Sequence, residues 1–261
     1  HGRTLGAIST SNVPKMTEGF GPLLPGCKSI ALNNKDLIVD SISDRTAAVM
    51  IEPIQGEGGI NVVPDHTLSL LRKLCDKHGA LLIFDEVQCG VGRTGKLFAH
   101  EWSGIFPDIM TIAKGIGGGI PLGACLASNS AALGMGLGSH GSTYGGNPLA
   151  CAVGIEVLNQ VLEMEFLPNV RRIAGQWFQK LSTLVDEYEK VFAEVKGMGL
   201  MLGLKTKVNN QLFIEEAFKN NLLLVPAADN TVRLLPPLNI NKSEVDLVIK
   251  LLKKSAEGLI K

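Results

Sequence analysis

The sequence has no apolar run approaching the roughly 20 residues needed to span a bilayer, and its opening, HGRTLGAIST, lacks the apolar core of a secretion signal. These absences lead us to expect a dissolved, cytoplasmic protein with no membrane partner. There is also no excess of either charge: 25 Lys and Arg are balanced by 25 Asp and Glu. Basic residues are scattered, so the positive footprint that a nucleic-acid backbone demands is missing. The five cysteines, Cys27, Cys75, Cys89, Cys125 and Cys151, are odd in number, widely spaced and without a C-x-x-C pair. Reduced thiols, not a disulfide scaffold, are expected. Internal repeats and low-complexity tracts are absent too. What remains is a 261-residue chain, 45% apolar and 19% charged, long enough for a sizeable core and more than one average domain.

Within that chain, strand and helix signals alternate. AAVMIEPIQG reads as a buried strand ending in an acid and a turn, HTLSLLRKLCDKHG has helical spacing with Gly79 as its stop, and LLIFDEV reads as a second strand. DIMTIAKG gives a further short strand, and NPLACAVGIEVLNQVLEME a long helix capped by Asn147 and started by Pro148. This order predicts a mostly parallel sheet wrapped by helices. After FLPNV the pattern changes. A charged helix is expected from about Val170 to Lys190, then strands in FAEVKGMGLMLGL, a helix in NQLFIEEAFKNN, strands in LLLVPA and TVRLLPPL, and a closing helix from Ser243. We therefore expect a large α/β domain over residues 1–160 and a smaller α+β domain over 161–261.

Several motifs have plain alternatives. GVGRTGKL nearly spells a phosphate-binding loop, but Leu97 stands where a metal-binding hydroxyl is required, and the loop follows an acidic strand directly. GLGSHG has the dinucleotide spacing without a strand leading into it, and HEW at His100 meets Gly104 where a zinc helix needs its second histidine. No metal site is expected. Two features are harder to explain as scaffold. Asp85 ends an oily strand, where an ionised group needs water or a cation. Lys114 follows another apolar strand and precedes Gly115, Gly117, Gly118 and Gly119. Glycines let backbone approach a ligand closely, and a desolvated lysine becomes a nucleophile for carbonyl compounds. In a doubly wound sheet both would open onto the crevice at the carboxyl edge of the strands. An aldehyde-bearing cofactor with a protonated ring nitrogen would use both, the lysine for a Schiff base and the acid to hold the ring cation.

IEPIQGEGG, FDEVQCGVGRTGKLFAHE, AKGIGGGIPLGA and GSTYGGNPLA resemble the signatures of the class III (ω-amino) aminotransferases, which are pyridoxal-phosphate enzymes of fold type I. HGRTLGA and EGFGPLLPG narrow the likeness to members that act on the terminal amine of N-acetylornithine, in arginine biosynthesis. The resemblance covers essentially the whole chain, although family members carry roughly a further third of their length before the match to HGRT. It implies pyridoxal 5'-phosphate as cofactor, Lys114 as Schiff-base lysine and proton shuttle, and Asp85 as partner of the pyridinium nitrogen. It also implies that Val87 packs on the ring and Gln88 bonds the phenolic oxygen. Thr143, with Ser142, would reach the cofactor phosphate of a neighbouring subunit, which requires a homodimer. Arg3 and Arg233 match binders of substrate carboxylates, and Glu57 the acid that masks the second arginine. The implied reaction moves the δ-amino group of N-acetylornithine to 2-oxoglutarate, giving the semialdehyde of N-acetylglutamate, and glutamate. Ornithine, succinylornithine or another ω-amine is the alternative donor, and a non-catalytic fragment that only dimerises is the alternative role. Plain readings stand beside these: Ser142 and Thr143 as caps for the helix at Asn147, Glu57 as a turn residue, Arg233 as an exposed strand charge, Glu52 as structural and Cys89 as packing.

Overall fold

A computed structural model describes residues 1–11 and 13–260. Its strands are β1 (Ala48–Ile51), β2 (Ile54–Gln55), β3 (Asn61–Val62), β4 (Leu81–Asp85), β5 (Ile109–Ile112), β6 (Ala124–Ala127), β7 (Phe192–Met198), β8 (Met201–Thr206), β9 (Val225–Ala227) and β10 (Thr231–Leu234). The helices are α1 (Leu5–Ser9), α2 (Pro14–Thr17), α3 (Lys35–Ser41), α4 (Asp65–His78), α5 (Asn129–Ala132), α6 (Pro148–Val161), α7 (Phe166–Glu187), α8 (Asn210–Lys219) and α9 (Lys242–Ile260).

The strands form two main sheets, in the order β1-β4-β5-β6 and β7-β8-β10-β9, joined by the small hairpin β2-β3. In the first sheet β1, β4 and β5 run parallel, as the alternation of strands and helices predicts. β6 is the exception: it lies antiparallel on β5. At the centre, Leu82 and Phe84 of β4 are fully buried against Leu68, Leu71 and Leu74 of α4. Helix α4 repeats those leucines at helical spacing and stops at Gly79, whose φ of 68° gives the left-handed turn that its N–H needs to reach the Cys75 carbonyl. Truncating Phe84 to alanine here costs about 3–5 kcal/mol.

Two sequence expectations shift. AAVMI is an edge strand with Ala48 and Met50 exposed and Ile51 buried, so only one face of it is core. The charged helix begins at Phe166, not near Val170, because Pro168 falls in the first turn, where a missing N–H removes no helical bond. It ends at Glu187, where Tyr188 leaves helical geometry.

The second sheet is antiparallel throughout. One face of α7, built from Val170, Ile173, Trp177, Leu181 and Leu184, joins Leu202, Leu204, Phe213, Val232 and Leu252 in a single core. Between the two sheets, Val91, Met110, Ile112 and Val161 gather with Phe166, Leu167 and Leu238. Arg93 adds a polar link: its Nη1 donates to the Pro236 carbonyl at 2.6 Å and the Leu200 carbonyl at 3.3 Å.

Candidate active site

Register along the first sheet determines which side chains meet. Ile51 pairs with Phe84 and Asp85 pairs with Thr111. The residues that follow therefore emerge together at the carboxyl edge of three parallel strands: Glu52 after β1, Asp85 at the end of β4, and Lys114 just past β5. Such an edge is where open α/β sheets bind ligands.

Asp85 is 5% exposed. Its Oδ1 accepts the Val87 N–H at 3.1 Å. A buried acid at the carboxyl end of a parallel strand has the chemistry a protonated ring nitrogen requires. Lys114 is exposed, where the sequence reading expects a desolvated lysine, and adopts φ of 52°. A non-glycine residue in the left-handed region carries backbone strain, and here it opens the short turn Lys114–Gly117 directly beside the acids.

The turn after Asp85 is organised by Glu86, a completely buried acid that sequence reasoning missed. Glu86 accepts the N–H groups of Ala99 at 2.6 Å and His100 at 2.8 Å, and its Oε1 lies 2.8 Å from His100 Nδ1. Its carbonyl accepts the Gly90 N–H at 2.9 Å. These bonds fold Val87 and Gln88 back over the sheet edge. Cys89 is fully buried and packs with Ile54, Ile60 and Met201, and burial with the nearby Glu86 pushes its thiol up.

Arg233 and Glu57 come together, although 176 residues separate them. Arg233 is 8% exposed, which removes the reading of a surface charge on a strand. Its Nη1 donates to Glu57 Oε1 at 2.8 Å and to Gln88 Oε1 at 3.3 Å. Gln88 Nε2 in turn donates to Glu57 Oε1 at 3.4 Å and to His1 Nδ1 at 2.9 Å. The Arg233 Nε is buried without a partner. An incoming carboxylate therefore meets the guanidinium at its end, through Nη1 and Nη2, and Nη1 already belongs to Glu57 and Gln88.

Arg3 is exposed, with no ion pair among the described residues. Ser142 and Thr143 are exposed and do not cap α6; the Asn147 side chain does so itself, accepting the Ala150 N–H at 2.9 Å. Ser142 Oγ accepts the Gly145 N–H within its own turn. Among the described residues no group of three or more His, Cys, Asp or Glu could hold a metal ion, and no helix is long and apolar enough to cross a membrane.

Residues 1–255 match the family described as aminotransferase class-III. The chain is 52% identical over 259 residues to an acetylornithine aminotransferase of Mesorhizobium japonicum, covering 99% of this chain and 65% of that protein. Among solved structures, the ornithine aminotransferase of Toxoplasma gondii ME49 superposes with a TM-score of 0.93 at 30% identity, covering 99% of this chain and 62% of that one. The N-acetylornithine aminotransferase of Stenotrophomonas maltophilia K279a gives 0.81 at 37% identity, over 90% and 63%.

Proposed function

Because the chain belongs to the class-III aminotransferases, we propose that the protein moves the terminal amine of N-acetylornithine to 2-oxoglutarate. The chain spans about 65% of the length of the acetylornithine aminotransferases it matches, so the whole enzyme's substrates and assembly belong to this proposal. Pyridoxal 5'-phosphate, when bound, supplies an aldehyde for the amine and a cationic ring that draws off electrons. On this reading Asp85 holds the ring N–H, Val87 packs on the ring and Gln88 bonds its phenolic oxygen. Lys114 Nζ carries the covalent link to the cofactor and moves the proton. Ser142 and Thr143, exposed and bonded only within their turn, reach the phosphate of a second copy in a homodimer. Residues 1–160 form the cofactor-binding part and 161–261 the smaller domain.

The observation that carries this reading is the Glu57–Arg233 pair. N-acetylornithine presents a carboxylate far from its reacting amine, whereas 2-oxoglutarate carries one next to its keto carbon. One arginine cannot serve both spacings. Arg3 takes the donor's carboxylate and the distal one of 2-oxoglutarate, and Arg233 takes the one beside the keto group through a planar fork. Glu57 masks Arg233 while the donor reacts and leaves Nη1 when the keto acid arrives, which disfavours α-amines. A second reading, ornithine as donor, draws on the superposition with the Toxoplasma gondii enzyme; the higher sequence identity favours the acetylated donor.

Borohydride reduction of the cofactor-loaded protein followed by peptide mapping is expected to place the pyridoxyl group on Lys114. An adduct on another lysine overturns the assignment. Turnover of N-acetylornithine, ornithine and succinylornithine, measured side by side, decides the donor.

A further inference from the structure

The loop that presents Glu57, Gly56–Ile60 between β2 and β3, is held at three points. At its far end Gly59 has φ of 110° and a Cβ there would lie 2.8 Å from the Ala228 carbonyl, while Ile60 is fully buried. In its middle, the Glu57 carbonyl accepts the Ala228 N–H at 2.9 Å. At its near end the hold comes from an ionisable side chain: Glu52 Oε2 accepts the Gly56 N–H at 3.0 Å. Glu52 is half-buried next to Asp85, and burial pushes its carboxyl up. The Gly56 N–H and Lys114 act against that rise, and Glu57 adds to it.

The near end matters because the gate itself is thin. One oxygen of Glu57 meets one nitrogen of Arg233, with no second fork to preserve the contact if the backbone moves. Gly56 is also packed on Gln88, where a Cβ would run into the side-chain amide. Gly56, whose N–H Glu52 holds, is thus the chain neighbour of one acceptor of Arg233 Nη1 and is packed on the other.

We propose that Glu52 is a positioning residue for substrate choice: by fixing the Gly56 N–H it sets Glu57 against Arg233, and so maintains the discrimination against α-amines. This rests on the aminotransferase reading above, and its test separates the two. In the full-length protein, Glu52→Met keeps the volume and removes the acceptor, Glu52→Ala removes both, and Glu52→Gln keeps a carbonyl that can accept the same N–H. Hydrogen exchange at the Gly56 amide is expected to quicken by about tenfold or more in the first two variants, matching the loss of a single local bond. In the same two variants the reactivity of glutamate relative to N-acetylornithine is expected to rise, in single-turnover measurements, by about three- to tenfold. Glu52→Gln is expected to keep both within about twofold of the parent, since its carbonyl replaces the lost acceptor.

Unchanged exchange at Gly56 overturns the proposal, as does faster exchange with an unchanged amine ratio, or a Glu52→Gln variant that behaves like Glu52→Met. If Glu52→Ala does not fold, Glu52→Met carries the comparison. A parent protein that transaminates no amine overturns the aminotransferase reading, and the exchange arm still decides whether Glu52 holds Gly56.

Discussion

Two glycine-rich loops border the site, and they are built in opposite ways. Gly56–Ile60 is tied to β1 through Glu52, to the β9–β10 hairpin through Ala228, and to the turn after β4 through Gln88. The stretch from Gly136 to Gly146 is bonded within itself and to the cap of the helix that follows: Ser139 Oγ donates to the Gly136 carbonyl at 2.7 Å, Ser142 caps Gly145, and the Tyr144 carbonyl accepts the Asn147 side-chain amide at 2.9 Å. Leu137 and Tyr144 stand exposed along it. A loop fixed by its own chain is organised before any ligand arrives, which is the condition for discriminating between substrates. A loop bonded only to its own turns and the adjoining helix cap lacks such cross-links to other elements, and on the proposal above it is the segment that a second copy of the chain would seat.

The contrast can be broken most sharply at Arg233. Arg233→Lys removes the planar fork and is expected to slow the 2-oxoglutarate half-reaction by about 10–100-fold, the worth of one or two charge-assisted bonds. The donor half-reaction should change far less, and stopped-flow spectra of the separate halves read both; equal losses would mean that the gate does not exist. Next in size is Gly59→Ala, which forces a side chain into the left-handed region and against the Ala228 carbonyl, with an expected cost of about 1–3 kcal/mol. Gly138 also has positive φ, at 77°, but nothing lies within 4 Å of a Cβ placed there. Gly138→Ala should cost the backbone strain alone, about 1–2 kcal/mol, without the clash, and thermal melts of the pair measure the difference. Ser142→Ala combined with Thr143→Val should leave the melting temperature unchanged and weaken cofactor retention, read by equilibrium dialysis.

The smallest effect is a pH dependence at Glu52. Its folded-state carboxyl is raised, chiefly by burial, so the folded state holds this proton more tightly than the unfolded one. Stability is therefore lost as pH rises from the ordinary carboxylate range through the raised value. Glu52→Gln cannot ionise, and its melting temperature relative to the parent should climb between pH 4 and pH 7. A constant difference across that window would remove the assigned cause.

The sequence makes Asp85 and Lys114 legible because each breaks a local rule: an acid ends a buried apolar run, and a lysine stands before a string of glycines. Structure adds why they meet, through a parallel register between β4 and β5 that no local pattern encodes. Arg233 is harder to read. TVRL shows alternation, yet all four residues of β10 are buried, because this inner strand lies between β8 and β9. Only the resemblance picked out its arginine. The Glu86–His100 pair escaped for another reason: they lie 14 positions apart across a glycine-rich turn, with no period to follow. The hold of Ala228 on Glu57 is a backbone bond, and backbone donors leave no mark on residue identity. β6, ACLA, escaped as well, being short, exposed and made of small side chains.

Ile60 is β-branched and fully buried, with φ of 56°. It fills a hollow left by the missing side chains of Gly197 and Gly203 in the second sheet. A residue locked this firmly three positions after Glu57 acts as a ruler. Adding or deleting one residue between them would move the carboxylate by about 3.3–3.8 Å, the span of one residue, far beyond reach of Arg233. Descendants that change their amine preference are therefore expected to do so by replacing side chains in a loop of constant length, and a library that varies the length of this loop should yield few selective enzymes.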